Sequence, residues 1–174
     1  FHRALDPVEA LAHSCNVYFA TIARRLPRSA LDDMLVRVGM APSNPGTPMV
    51  TTALGLGGVR ATPQALLDAF CRLADVGRPG VQLKDETRRL LRLGLESAAR
   101  TGTASALAEA GYSGLAKTGT APMPGGGYQG LVAAVVNTEL PTHAIIVVAP
   151  GSTGAHAAML AIEILITHRV PRRV

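Results

Sequence analysis

Ala116-Lys117-Thr118-Gly119-Thr120-Ala121 decides how this chain is read. The six residues close a segment, Ser113 to Ala121, with the composition of a β-strand. Turn-forming residues follow from Met123 to Gly127. Two nearly continuous apolar runs come next, Gly130 to Asn137 and His143 to Ala149, separated by a second turn over Thr138 to Thr142. Three strands joined by short connections predict an antiparallel meander, with the Lys117 strand at one edge and the His143 strand at the other. Ile145, Ile146, Val147 and Val148 then form an exposed hydrophobic edge, which is an aggregation hazard.

Lys117 and its threonines are ordinary on a solvated edge strand, and the same residues also fit a binding role. Gly119 has no side chain, so another backbone can lie against the strand and hydrogen-bond to it. The hydroxyls of Thr118 and Thr120 beside a cationic Lys117 suit a carboxylate. About a hundred residues upstream, Ser14-Cys15-Asn16 joins two helical segments. Ser14 can relay a proton to a leaving amine, and the Asn16 amide offers a donor and an acceptor to a peptide bond. Both residues also suit helix caps, a role compatible with the first.

Between these motifs the chain is mainly helical. Asp6-Pro7 reads as an N-cap and first helical residue. Phe19, Ile22, Ala23 and Leu26 share one helix face, ended by Pro27, and Ala30 to Val38 is a short helix stopped by Gly39. Ala41 to Gly58 is rich in Pro, Gly, Thr and Asn and predicts a loop. Thr62-Pro63 caps a helix whose apolar face is Leu66, Ala69, Phe70 and Leu73, with Gly77 at its C-terminal end. Asp85 starts a helix through about Arg100, and a small-residue helix runs from about Ala104 to Ala110. A mostly apolar final helix carries Ala157, Leu160, Ala161, Ile164 and Leu165. It lacks a basic face, so it belongs to a core rather than to a membrane surface.

Composition narrows the function classes. The chain has 174 residues, of which 48% are hydrophobic and only 3% aromatic, so one core of Ala, Leu and Val is expected. Seventeen basic residues, fifteen of them Arg, outnumber twelve acidic ones. They are scattered without interleaved aromatics, which argues against a nucleic-acid partner. His2, His13, His143, His156 and His168 show no metal-ligand spacing, and neither a metal nor an organic cofactor is expected. Cys15 and Cys71 are too few for a disulfide framework and read as packed thiols. A cysteine-hydrolase pairing of Cys15 with His13 fails, because residues two apart on a helix point in different directions. No apolar run approaches the ~20 residues of a membrane span.

Taken together, these motifs resemble the second and third active-site motifs of penicillin-binding protein transpeptidases and serine β-lactamases, Ser-x-Asn and Lys-Thr-Gly. The likeness extends to Ser14-Cys15-Asn16-Val17-Tyr18-Phe19, to Gly55-Leu56-Gly57 with Thr62-Pro63-Gln64-Ala65-Leu66, and to Gly102-Thr103-Ala104. It spans nearly the whole chain, and four matches fall in the family's order. The family's first motif, Ser-x-x-Lys, is absent. The two lysines, Lys84 and Lys117, are preceded three residues earlier by Val81 and Gly114.

The resemblance implies an α+β fold in which a helical region over residues 1–110 precedes a three-stranded antiparallel sheet and C-terminal helix over 111–174, an incomplete β-lactamase/transpeptidase-like domain. It implies a cleft with Ser14 and Lys117 as catalytic groups and Asn16, Thr118, Gly119 and Thr120 as substrate-binding groups, the Thr120 N–H serving as one oxyanion donor. The implied activity is that of a D,D-transpeptidase cross-linking peptidoglycan stem peptides through a serine acyl-enzyme and binding β-lactams. The nucleophile would lie outside this chain, and the start at Phe1 rather than Met favours truncation over loss. The implied setting is the cell envelope, on the outer side of the bacterial cytoplasmic membrane, with cell-wall synthesis proteins as possible partners. Carboxypeptidases and β-lactamase-like sensors share the motifs. A nucleophile-free scaffold protein of cell-wall synthesis is the non-enzymatic alternative.

Overall fold

The computed structural model of the chain describes residues 5–76, 81–123, 125–137 and 143–172. Its sheet has three antiparallel strands, β1 (Gly114–Pro122), β2 (Tyr128–Val136) and β3 (His143–Pro150), in the order β1-β2-β3. Lys117 lies opposite Ala133, and Val132 opposite Val147. The expected order and the two edges are therefore found. The turn expected over Thr138 to Thr142 lies outside the described residues.

Both faces of β2 are covered, which is why its sequence is an unbroken apolar run. Alternate residues serve opposite faces. Ala134 and Val136 pack with Leu107, Tyr112 and Leu165, and Val132 packs with Ala157, Ala158 and Ala161. These contacts seat α8 (Gly154–Thr167) on one side of the sheet. Ala133 and Val135 point the other way, against Phe70, Cys71 and Ala74 of α5 (Pro63–Ala74) and Leu95 of α6 (Asp85–Arg100). With so few aromatics, small residues let helix and sheet backbones approach closely.

The remaining helices follow local rules in some places and long-range contacts in others. α1 (Pro7–Ala12) opens on a capping box: the Asp6 carboxylate accepts from the Glu9 N–H at 2.8 Å, and the Glu9 side chain reaches back to the Asp6 N–H. Thr62 caps α5 by accepting from the Ala65 N–H at 3.1 Å. Asp75, at φ +57°, supplies the left-handed C-cap expected of Gly77, which lies outside the described residues. Arg88 pairs with the Asp75 carboxylate at 2.9 Å, and Arg92 donates to the Ala74 carbonyl at 2.6 Å, so α6 holds the end of α5.

Two expectations need correction. The helix predicted up to Pro27 stops earlier: α2 is Asn16–Ala23, and Pro27 instead caps α3 (Arg28–Arg37). Of its predicted apolar face only Ala23 is fully buried, while Ile22 and Leu26 are exposed, since α2 borders the short α4 rather than the sheet. The second correction is α4 itself (Met49–Ala53), which interrupts the loop predicted over 41–58. Arg28 explains it. Its guanidinium is fixed by both Asp32 oxygens, at 2.9 and 2.8 Å, and donates to the Thr47 carbonyl and to the carbonyl and hydroxyl of Ser43. Ser43 in turn meets the buried Thr52 hydroxyl at 2.5 Å. α7 (Ala106–Glu109) is a single turn before β1.

Candidate active site

Ser14 sits in the turn between α1 and α2 with a left-handed backbone, φ +54°. An L-residue adopts this conformation at some cost unless its surroundings hold it there. Two backbone bonds do so: Ser14 N–H to the Leu11 carbonyl at 3.3 Å and Cys15 N–H to the Ala10 carbonyl at 2.9 Å. The Ser14 hydroxyl then faces β1, where Lys117 Nζ donates to it at 2.8 Å, across 103 positions of sequence. Lys117 Nζ also donates to the Thr118 carbonyl at 2.8 Å.

These groups open onto a cleft of about 630 Å³. Ser14 and Asn16 line it on one side, and Lys117, Thr118, Gly119 and Thr120 on the other. All six site residues expected from sequence therefore meet in one cavity. Leu54, Leu56, Thr103, Thr153, Gly154 and Ala155 complete the lining. A second, apolar cavity of about 380 Å³ adjoins it, sharing Leu54, Leu56 and the strand residues and reaching Phe70, Leu131 and Ile146.

The electrostatics centre on Lys117. Burial disfavours its charged form and lowers its pKa to about 8. Among the residues lining the cleft it is the one that titrates, and no carboxylate faces it there. It is thus mainly a cation near neutrality, with a neutral fraction that grows as pH passes about 8. Thr118 is buried, and its hydroxyl donates to the Thr103 hydroxyl at 2.6 Å. Thr120 Oγ1 accepts from the Gly154 N–H at 3.1 Å, so the first turn of α8 abuts β1, and the Thr120 proton remains available to a ligand. A Cβ added to Gly119 would meet only the end of the Leu131 side chain, at 4.0 Å. The fold does not need a glycine there, so its smallness serves whatever approaches the strand from the cleft.

Sequence reasoning missed Leu54 and Leu56, which α4 and the Arg28 clamp bring into the cleft. It also missed the start of α8, whose signal was present: Thr153 precedes the helix and caps it, accepting from the His156 N–H at 3.3 Å. Thr103 had been noticed without a role. Cys15 and Cys71 are both buried, as expected. Among the described residues no cluster of three metal-ligating side chains occurs, and no helix is long and apolar enough to cross a membrane.

The architecture is that of a transpeptidase domain. The family model "Penicillin binding protein transpeptidase domain" matches residues 1–165, and the chain belongs to that family. No curated protein sequence matches it. Among solved structures, it is similar to the transpeptidase domain of the FtsI4 D,D-transpeptidase from Legionella pneumophila, with TM-score 0.78 and 19% identity over 94% of this chain and 69% of that one. PBP2 from Pseudomonas aeruginosa superposes at 0.77 with 18% identity, and PBP2 from Helicobacter pylori at 0.76 with 19%. Each match covers 94% of this chain, but only 48% and 40% of the respective relative.

Proposed function

We propose that this chain supplies two walls of the active site of a D,D-transpeptidase that cross-links peptidoglycan stem peptides through a serine acyl-enzyme, and that it engages β-lactams in the same cleft. The observation that carries this reading is the Lys117–Ser14 hydrogen bond within a cleft also lined by Asn16, Thr118, Gly119 and Thr120. In this scheme the substrate backbone lies along β1 at Gly119, and its terminal carboxylate accepts from the Thr120 hydroxyl near Lys117. The Thr118 proton is held by Thr103, so that residue lines the wall without donating to the carboxylate. The Asn16 amide holds a substrate peptide bond, and the Thr120 N–H is one oxyanion donor. Ser14, linked to Lys117, relays a proton to the leaving amine. A lysine with a pKa near 8 suits that shuttle, because it releases and regains a proton near working pH.

The attacking serine is not among these residues, since the 174 residues contain no Ser-x-x-Lys. Catalysis therefore needs a nucleophile from outside the chain, and the cell envelope, outside the cytoplasmic membrane, is the compartment where such a protein meets its substrate. The same absence favours the second reading, a nucleophile-free scaffold in cell-wall synthesis. Fluorescent-penicillin labelling of the complete gene product that carries these residues separates the two. The transpeptidase reading expects covalent labelling that falls by about 10²-fold or more in Lys117→Ala and Ser14→Ala, the scale of losing an electrostatic or proton-transfer partner. No labelling of the folded gene product supports the scaffold instead.

A further inference from the structure

Thr103 touches both walls of the cleft. Its backbone N–H donates to the Ala12 carbonyl at 3.2 Å, two residues before Ser14, and its hydroxyl accepts from Thr118 at 2.6 Å, one residue after Lys117. The residue before it reinforces the first contact. Gly102 lies so close to α1 that an added Cβ would fall 2.3 Å from the Ala12 carbonyl oxygen. The second contact is buried on its Thr118 side. Beside the Lys117–Ser14 bond, a second bridge among the described residues links the end of α1 to β1 through Ala12–Thr103–Thr118, without using Ser14 or Lys117.

We propose that Thr103 is a positioning residue, which ties the Ser14 turn to β1 and thereby sets the Ser14–Lys117 hydrogen bond and the orientation of the Thr118 hydroxyl. Holding the long Lys117 side chain against Ser14 costs rotamer freedom, and the cost is smaller when the two backbones are already fixed relative to one another. Thr103 fixes both at once. It also settles the hydroxyl of Thr118: the proton points to Thr103, so the lone pairs of Thr118 face away from that bond. Its catalytic meaning rests on the function proposed above, but its structural content does not.

The test reads the environment of Lys117 directly. Trace acetic anhydride labels amines in proportion to their neutral fraction, and Lys84, which is exposed, is the chain's internal standard. Thr103→Val removes the hydroxyl while keeping the shape, and Thr118→Val breaks the same bond from the other end, so the test does not hang on one variant folding. Thr103→Ser restores the bond. Both valine variants are expected to loosen the cleft and hydrate the ammonium, raising the Lys117 midpoint above about 8. A rise of half a unit lowers its neutral fraction near pH 7, and hence its labelling relative to Lys84, about threefold. The serine variant is expected to match the parent profile. Folded valine variants with an unchanged Lys117 profile, or a serine variant shifted as far as valine, would overturn the proposal. Because no acylation is measured, failure here is distinct from failure of the penicillin labelling.

Discussion

Lys117 is half-buried as the donor of two hydrogen bonds, yet its surroundings favour the uncharged amine, and that conflict leaves a trace in stability. Its folded pKa of about 8 lies below the ordinary lysine value of 10.5. Between these values the unfolded chain binds more protons than the folded one, so this group makes stability rise with pH from about 8 to about 10.5. Below pH 8 the cost of keeping a half-buried ammonium is fully present. Urea denaturation across pH 7 to 10.5 is expected to show the rise, and Lys117→Met should remove it. An identical slope in the variant would mean that Lys117 is hydrated in solution. Gly102 makes the second residue-scale prediction. Gly102→Ala forces a methyl group against the Ala12 carbonyl and the Ala98 backbone, and is expected to cost about 1–3 kcal/mol or more by chemical denaturation.

At the scale of elements, what could be read in the sequence were the pieces stabilised by their near neighbours. Asp6-Pro7 and Thr62-Pro63 announce α1 and α5 because a cap acts within one turn, and the three strands announce themselves through composition and turn residues. α4 could not be read, since Arg28 holds its surroundings from a different helix. Arg28→Ala is expected to speed amide exchange across residues 43–53 and to lower stability by about 1–3 kcal/mol, the cost of stranding the carbonyls it now satisfies. Exchange unchanged in that segment would show that the loop holds itself. β3 behaves differently. Among the described residues only β2 pairs with it, leaving the backbone of its other edge unpaired, although Ile145 to Val148 are half-buried on the sheet faces rather than exposed as expected. Concentration-dependent association of the chain is expected, and Ala144→Lys at that exposed edge should suppress it with a stability change within about 0.5 kcal/mol. Equal association of parent and variant by light scattering would place the sticky surface elsewhere.

At the scale of the whole molecule, the site was legible as a set of residues but not as a shape. Ser14, Asn16 and Lys117 to Thr120 are singled out by motifs that resemble those of a known family in its order, since each residue alone is ordinary on an edge strand or at a helix end. Leu54, Leu56 and the role of Thr103 were hidden, because only tertiary packing brings a loop residue or a helix end to a strand a dozen or more positions away. In the proposed function the cleft contributes a proton relay, a cation, hydroxyls and an open strand, and no Ser-x-x-Lys serine is proposed among its described residues. Ser14 is committed to Lys117 and lacks the lysine one turn later that would activate it as a nucleophile. Intact-mass analysis of the folded 174-residue chain after incubation with a fluorescent penicillin tests this division of labour most directly. The account predicts no covalent adduct. A stoichiometric adduct that disappears in Ser14→Ala would contradict it, and would make Ser14 the nucleophile rather than the relay.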